Sequence, residues 1–350
     1  MKVAAAVSGG LDSAVALFLL KMRGYETVAF TLRLFEGEKA DSAVEDAAGL
    51  CAFLGVEHVA LDVREEFERL VVEPFAAEYA AGRTPNPCVL CNERVKFGLL
   101  REKAREMGCD ALATGHYARV ERREGEWSLL KAARGEKDQS YALYRLKRGD
   151  LPYTLFPLGE WSKEQARKLA RAERLPVSER PESQDICFVE GSYREFLAGR
   201  GVRGGPGVIT DTSGRVLGEH EGVHLFTIGQ RRNLGLGGGG GPYYVVELLG
   251  DENRVIVGSK EDLAVRRFEV GGCNWLAEVA EGGSVACEVK VRYRSPALAG
   301  EVEPRPGGKA EVRLDVPHEA VTPGQSAVFY RGDRVLGGGI IERVKRDARE

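Results

Sequence analysis

The sequence predicts an α/β chain: a parallel sheet covered by helices on both faces, then a β-rich remainder that ends in a small antiparallel barrel. Three observations carry this. Strand-length apolar runs alternate with helix-length amphipathic runs from residue 2 to about residue 114, the order of βαβ units. A glycine-rich turn separates the first apolar run from the first helical one. After about residue 195 glycines become dense and short alternating runs recur with turn signals between them, an antiparallel pattern.

Each element follows in order. Lys2–Val7 reads as the first strand. Leu11–Met22 follows as a helix, with Leu11, Val15, Phe18, Leu19 and Met22 on one face and Gly24 in the place of a left-handed cap. Glu26–Leu32 is the second strand, 42–54 a helix and Glu57–Leu61 a strand. Glu65–Ala81 is a helix that Pro74 should bend or divide, since proline has no N–H to give. Asn92–Met107 is a helix ending at Gly108, and Asp110–Thr114 a strand. A parallel sheet binds its ligand beyond the carboxyl ends of its strands. The glycine turn, Leu32 and Thr114-Gly115-His116 all fall there. In the second half, Gly207–Thr210, Tyr243–Leu248, Arg254–Val257, Val285–Tyr293, Lys309–Val316, Ser326–Tyr330 and Arg334–Ile341 read as strands. Gly237–Gly241 reads as a mobile loop. The domain boundaries implied are 1–195, 196–265 and 266–350.

The 350 residues are 43% apolar and 29% charged, ordinary for a soluble globular protein of two or three domains. A net charge of −3 excludes polyanion binding by bulk electrostatics, so a nucleic-acid role needs a local basic face. Val3–Val7 is too short for a signal-peptide core, and no run approaches the roughly 20 apolar residues of a membrane span. A cytoplasmic chain with no membrane partner is expected. Its seven cysteines should then be reduced. Cys51, Cys109, Cys273 and Cys287 lie in helix- or strand-like apolar patterns and read as buried filler.

Chemistry enters at Val7-Ser8-Gly9-Gly10-Leu11-Asp12-Ser13-Ala14. Two glycines let backbone N–H groups approach an anion, the helix N-terminus adds positive potential, and both serine hydroxyls can donate to phosphate. Asp12 would repel phosphate directly, so it reads as a holder of Mg²⁺. No lysine follows the loop, which excludes the Walker type. By itself the pattern also fits a plain turn with Asp12 or Ser13 as helix cap.

S-G-G-x-D-S after an N-terminal strand resembles the ATP-pyrophosphatase loop of enzymes that adenylate a carbonyl or amide oxygen. The run from Ala81 to Asn92, A-G-R-T-P-N-P-C-V-L-C-N, resembles a segment of the tRNA-specific 2-thiouridylases. The likeness continues, in family order, through Lys96-Phe97, Ala113–Tyr117, Lys137–Tyr141, Asp185–Phe188, Thr227–Arg231 and Ala320–Tyr330. It implies a Rossmann-like catalytic domain of the adenine nucleotide alpha-hydrolase type, a small β-rich central domain that binds tRNA, and a C-terminal antiparallel β-barrel. The implied reaction uses ATP to adenylate the carbon-2 oxygen of the wobble uridine in tRNA. A persulfide sulfur then displaces AMP to give 2-thiouridine. Another ATP pyrophosphatase, or an RNA-binding module that has lost activity, are the competing readings; neither accounts for all these segments.

The resemblance also implies residue roles. Cys91 is the nucleophile and Cys187 carries the persulfide, the two forming a transient disulfide. Cys91 stands near a helix start, which is expected to lower its thiol pKa. Val7–Ala14, Leu32 and Gly115 bind ATP. Asn86, Pro87 and Cys88 meet the target base, and Lys137, Asp138, Gln139, Arg292 and Tyr293 contact tRNA. His116 and Gln325 serve tRNA recognition. Many family members have aspartate where this chain has Cys88. The set Cys88, Cys91 and Cys187 could therefore ligate a [4Fe–4S] cluster with one open iron, act as a redox pair, or make a zinc site lacking a fourth ligand. Strand alternation would put Lys290, Arg292 and Arg294 on one face. Gln230-Arg231-Arg232 and Arg200–Arg203 add local positive charge. The partners implied are tRNA and a persulfide donor, either a cysteine desulfurase or a relay protein, with the enzyme itself a monomer.

Overall fold

The computed structural model describes residues 1–178, 186–236, 242–319 and 321–345. Asp185, Ala320 and the glycine run 237–241 lie outside the described residues. The chain forms two compact units. The first comprises Met1–Val72, Cys88–Phe188 and Asp333–Val335; the second comprises Glu73–Pro87, Val189–Gly332 and Leu336–Glu350.

The first unit is built on β1 (Lys2–Ala6), α1 (Leu11–Met22), β2 (Glu26–Arg33), α2 (Glu38–Leu54), β3 (Glu57–Asp62), β4 (Ala111–Thr114) and a short β7 (Thr154–Leu155). These five strands form one parallel sheet in the order β3-β2-β1-β4-β7. The chain winds outward from β1 in both directions, so a crevice opens between the carboxyl ends of β1 and β4. Val3, Ala4, Val28, Ala29, Phe30, Leu112 and Ala113 are all almost fully buried, as strands covered on both faces must be.

α1 departs from the single apolar face expected of it. Leu11, Ala14, Val15, Ala16, Leu17, Leu19 and Leu20 are buried, whereas Met22 is exposed. The reason is a further neighbour: the helix Lys163–Ala172 packs against α1, with Ala166 and Ala170 in the same core. The segment around Pro74 is helical over 64–80 but not uniformly wound, with α-helical stretches at Arg64–Phe67 and Glu73–Ala80. A π-helical turn at Glu68–Val72 precedes the proline, and Arg94 Nη1 donates to the Leu70 carbonyl, four residues before it, at 3.4 Å. The next helix begins at Pro87 rather than Asn92, with proline at its first position where no N–H is missed. It continues to Glu106 and is π-helical over Cys91–Leu100. A hairpin of β5 (Ala118–Arg123) and β6 (Glu126–Lys131) also belongs to this unit. Its charged strands hid it from the periodicity; Arg119 and Arg123 fold onto Asp333, each within 2.8 Å.

The second unit holds a sheet of β8 (Gly207–Asp211), β9 (Val216–His220), β10 (Tyr244–Leu249) and β11 (Arg254–Gly258), in the order β10-β11-β8-β9. The last six strands are β12 (Val265–Trp275), β13 (Val285–Lys290), β14 (Leu298–Arg305), β15 (Lys309–His318), β16 (Ser326–Arg331) and β17 (Arg334–Lys345). They run β12-β15-β14-β13-β16-β17, and β12 pairs again with β17 to close a barrel. Alternate residues fill it: Ala310, Val312 and Leu314 of β15 point inward. Cys51 and Cys109 are buried as expected, but Cys273 and Cys287 of the barrel are only half-buried.

One strand ends early. β13 stops at Lys290, so Lys290, Arg292 and Arg294 do not share a strand face. Val291 is buried, and a turn at 292–295 follows in which Ser295 N–H donates to the Arg292 carbonyl at 3.1 Å. Ser295 Oγ accepts from the Arg292 N–H and closes the turn ahead of Pro296. The Arg292 guanidinium is bonded to Thr322 Oγ1.

Two of the segments that carry the family resemblance meet in this unit. Thr84 N–H donates to the Pro323 carbonyl at 3.0 Å, and Gln325 Nε2 donates to the Thr84 carbonyl at 2.8 Å. Gly324 turns between them with φ +91°, where an added Cβ would stand 2.7 Å from Thr84 N. Gly324→Ala should therefore destabilise the protein by about 1–3 kcal/mol. Chemical denaturation checks this, and an unchanged midpoint would contradict the close approach.

Candidate functional site

A cavity of about 240 Å³ opens at the carboxyl ends of β1, β2 and β4. Val7, Phe30, Leu32 and Leu34 give it an apolar side. Ser8, Asp12, Ser13, Thr114, Gly115, His116, Gln139 and Lys96 give it a polar one. The sequence makes this shape through its glycines. Gly9 has φ +70°, and a Cβ there would lie 2.7 Å from the Ala43 carbonyl oxygen. At Gly115 a Cβ would lie 2.8 Å from the backbone of both Asp12 and Ser13. Gly10 differs: its φ is ordinary, and a Cβ there would meet only Ser8 Oγ at 3.6 Å. The fold does not require glycine at position 10, so its missing side chain leaves room for something outside the chain.

The loop is pre-set to receive an anion. Ser8 N–H donates to Ser13 Oγ at 3.1 Å, and Ser13 Oγ donates to the Gly10 carbonyl at 2.9 Å. No side chain caps the N-terminus of α1, so its first-turn N–H groups keep their positive potential toward the cavity. Asp12, expected to hold Mg²⁺, has both carboxylate oxygens engaged. Lys163 Nζ sits 2.6 Å and 2.7 Å from them, and the Tyr117 hydroxyl donates to Oδ1 at 2.7 Å. As arranged, this carboxylate does not fit the part of an open metal ligand.

His116 also faces the cavity. Its Nδ1 is 2.7 Å from Thr114 Oγ1, and its ring packs beside Phe97 and Phe156. Burial, and then the nearby Lys96 charge, hold its pKa well below the ordinary histidine value, so it is a neutral imidazole at pH 7. Gln139 Oε1 accepts from Tyr117 N–H at 2.9 Å and holds the 115–117 turn in place.

Cys88, Cys91 and Cys187 stand as thiols near Lys96. Cys91 is buried, whereas Cys88 and Cys187 are exposed. Burial pushes the Cys91 thiol up to about 12, with Cys187 and Cys88 adding to the rise and Lys96 opposing it. The expectation that a helix start lowers this pKa is corrected here. Cys91 is the fifth residue of its helix, past the open N–H groups, and desolvation outweighs the helix field. Lys96 favours the thiolate at all three cysteines. Among the described residues no three His, Cys, Asp or Glu side chains gather as metal ligands would, so the three thiols as placed do not fit a cluster or a zinc ion.

Comparison with known proteins bears on this site directly. Residues 1–191 match the family described as a tRNA methyl transferase HUP domain. Residues 194–259 match a tRNA methyl transferase PRC-barrel domain, and 265–341 an aminomethyltransferase β-barrel domain. The chain is 45% identical over 347 residues to the tRNA-specific 2-thiouridylase MnmA of Acidithiobacillus ferrooxidans, covering 97% of this chain and 98% of that one. It is 44% identical over 351 residues to tRNA-specific 2-thiouridylase MnmA 1 of Syntrophus aciditrophicus, covering 98% and 93%. The chain belongs to the tRNA-specific 2-thiouridylase family. Among solved structures, the U34-tRNA thiolase NcsA of Methanococcus maripaludis with its [4Fe-4S] cluster is 18% identical with a TM-score of 0.35, covering 57% of this chain and 65% of that one.

Against the family's expected roles, Val7, Ser8, Asp12, Ser13, Leu32 and Gly115 come together around one cavity. Leu11 and Ala14 of the same loop turn into the core instead. His116 and Gln139, expected at tRNA, line this cavity too. Asp138 is turned inward, accepting from Ala132 N–H at 3.1 Å and Ser140 Oγ at 2.9 Å, while Lys137 stays half-exposed on the same loop. In the second unit Arg292 is held by Thr322, Gln325 by Thr84, and Tyr293 is exposed. Asn86 is half-buried and Pro87 buried. Sequence reasoning gave no role to Lys96, Tyr117 or Lys163. Lys96 stood in a quoted motif, but nothing local to Lys163 marks it.

Iodoacetamide labelling of Cys91 in the nucleotide-free protein should rise about tenfold per pH unit from about pH 7 to about pH 9, since a thiol of pKa about 12 is still far from fully ionised there. Lys96→Met should slow it at each pH. Peptide mapping by mass spectrometry checks both, and a plateau below about pH 9 would contradict the neutral buried thiol.

Proposed function

We propose that this chain is a tRNA-uridine 2-sulfurtransferase that adenylates the carbon-2 oxygen of the wobble uridine and replaces it with sulfur. One observation carries the reading. Lys96 lines the cavity built by the phosphate-binding loop and is also the cation that acts on Cys88, Cys91 and Cys187. An ATP cradle and three thiols thus share one lysine.

In the first half-reaction the loop Ser8–Ser13 and the N-terminus of α1 hold the pyrophosphate, with Leu32 and Phe30 beside the base. The uridine oxygen attacks the α-phosphorus and pyrophosphate leaves. Any Mg²⁺ would be held by the nucleotide's own phosphates and would supply counter-charge to them. In the second, a donor protein leaves a sulfane sulfur on Cys187 as a persulfide. The Cys91 thiolate attacks the Cys187 sulfur, the S–S bond of the persulfide breaks, and hydrosulfide leaves with the electron pair. Hydrosulfide adds at carbon 2 and AMP departs with the former uridine oxygen. Two thiols are oxidised to a Cys91–Cys187 disulfide while the sulfane sulfur is reduced, and an external dithiol restores them. Burial keeps the Cys91 thiol protonated, and the Lys96 charge is the cation that favours its thiolate. The anticodon loop of tRNA, a persulfide donor and a monomeric enzyme complete the reading. Among the described residues no helix is long and apolar enough to cross a membrane.

The test is mass spectrometry of tRNA nucleosides after reaction with ATP, a persulfide donor and a dithiol, beside a measurement of pyrophosphate release. Cys91→Ser and Cys187→Ser should each lower 2-thiouridine by at least about 100-fold and still release pyrophosphate. Cys88→Asp should remain active. Full thiolation by either serine variant would overturn the relay.

A further inference from the structure

Asp12 sits on the lip of the phosphate cradle, in the first turn of α1. A bare carboxylate there would repel a polyphosphate. The structure removes the problem with a lysine from 151 residues further along the chain. Lys163 Nζ bonds both Asp12 oxygens, at 2.6 Å and 2.7 Å, and Tyr117 bonds Oδ1 at 2.7 Å. The pair is shielded: the Lys163 and Asp12 side chains are 14% and 29% exposed.

The lysine is also well anchored. It is the first residue of the helix Lys163–Ala172, whose start is fixed by a reciprocal capping box between Ser162 and Gln165. That helix buries Ala166 and Ala170 in the core it shares with α1. Its first residue is therefore held at the end of α1 that faces the cavity. An ammonium has three donors. Two are spent on Asp12, which leaves one.

We infer that Lys163 is the phosphate-facing cation of this site. The loop has no lysine of its own, and Lys163 supplies the charge that a loop lysine gives in Walker-type sites. Asp12 and Tyr117 position the ammonium, and its third N–H donates to a pyrophosphate oxygen of bound ATP. This rests on the reading that ATP occupies the cradle.

Calorimetric titration with ATP, AMP and inorganic pyrophosphate tests it on the wild type and on Lys163→Met, Lys163→Arg and the double variant Asp12→Asn/Lys163→Met. Lys163→Met should weaken ATP and pyrophosphate binding about 10- to 100-fold, the size of a charge-assisted hydrogen bond. AMP, which lacks the pyrophosphate, should bind within about twofold of wild type, and Lys163→Arg should recover most of the ATP affinity. The double variant carries no unpaired carboxylate and keeps the test valid if Lys163→Met folds poorly. It should bind ATP as weakly as Lys163→Met. Wild-type ATP affinity in Lys163→Met, or its return in the double variant, would overturn the inference by showing that Lys163 only neutralises Asp12. If the wild type binds no ATP, the ATP reading itself fails and this one with it.

Discussion

The backbone at Gly115 passes so close to the first turn of α1 that a methyl group would not fit between them; a Cβ would stand 2.8 Å from Asp12 and Ser13. The site depends on this approach. It brings the carboxyl end of β4 against the loop that follows β1, at the place where the sheet's winding reverses. One wall of the cavity is then Ser8, Asp12 and Ser13, and the other is Thr114, Gly115 and His116. Tyr117, two residues beyond Gly115, reaches Asp12 because the two backbones already touch. Gln139 fixes the same turn from behind. A bulkier residue at 115 would part these walls and separate the tyrosine from the aspartate.

Much of this was legible in the sequence, and the boundary has physical reasons. The βαβ order, the anion loop and the carboxyl-end location followed from spacing alone, because a parallel sheet buried on both faces leaves continuous apolar runs. The six-stranded barrel showed as alternation, but β12 and β14 escaped notice: glycine and proline interrupt Val265–Trp275 and Leu298–Arg305. The β5–β6 hairpin is rich in arginine and glutamate, and its charges are absorbed by Asp333, more than 200 residues away. Lys163 was hidden for the same reason. An ion pair between distant residues leaves no local pattern, whereas a capping box or a glycine turn does.

Arg292 shows the opposite failure. Alternation carried past Lys290 put three cations on one face, but Ser295 and Pro296 turn the chain first. A period-2 pattern says nothing about where a ladder ends. The thiols show a third kind of limit. The motif named Cys91 as reactive, and proximity to a helix start suggested an acidic thiol. Desolvation is the larger effect for a buried sulfur, so the structure holds Cys91 as a neutral thiol and leaves Lys96 to favour its ionisation.

The π-helical winding at Cys91–Leu100 bears on that lysine. In an ordinary α-helix, residues five apart are rotated by about 500°, or about 140° from eclipsed. Cys91 and Lys96 would then point to different sides. Bonding from each residue to the one five ahead brings such a pair close to one line along the helix. The wider turn acts as a rotational spacer: it brings Cys91 and Lys96, whose charge favours the Cys91 thiolate, toward a common side of the helix without a loop. A helix of the same sequence wound normally would keep both residues and lose their alignment.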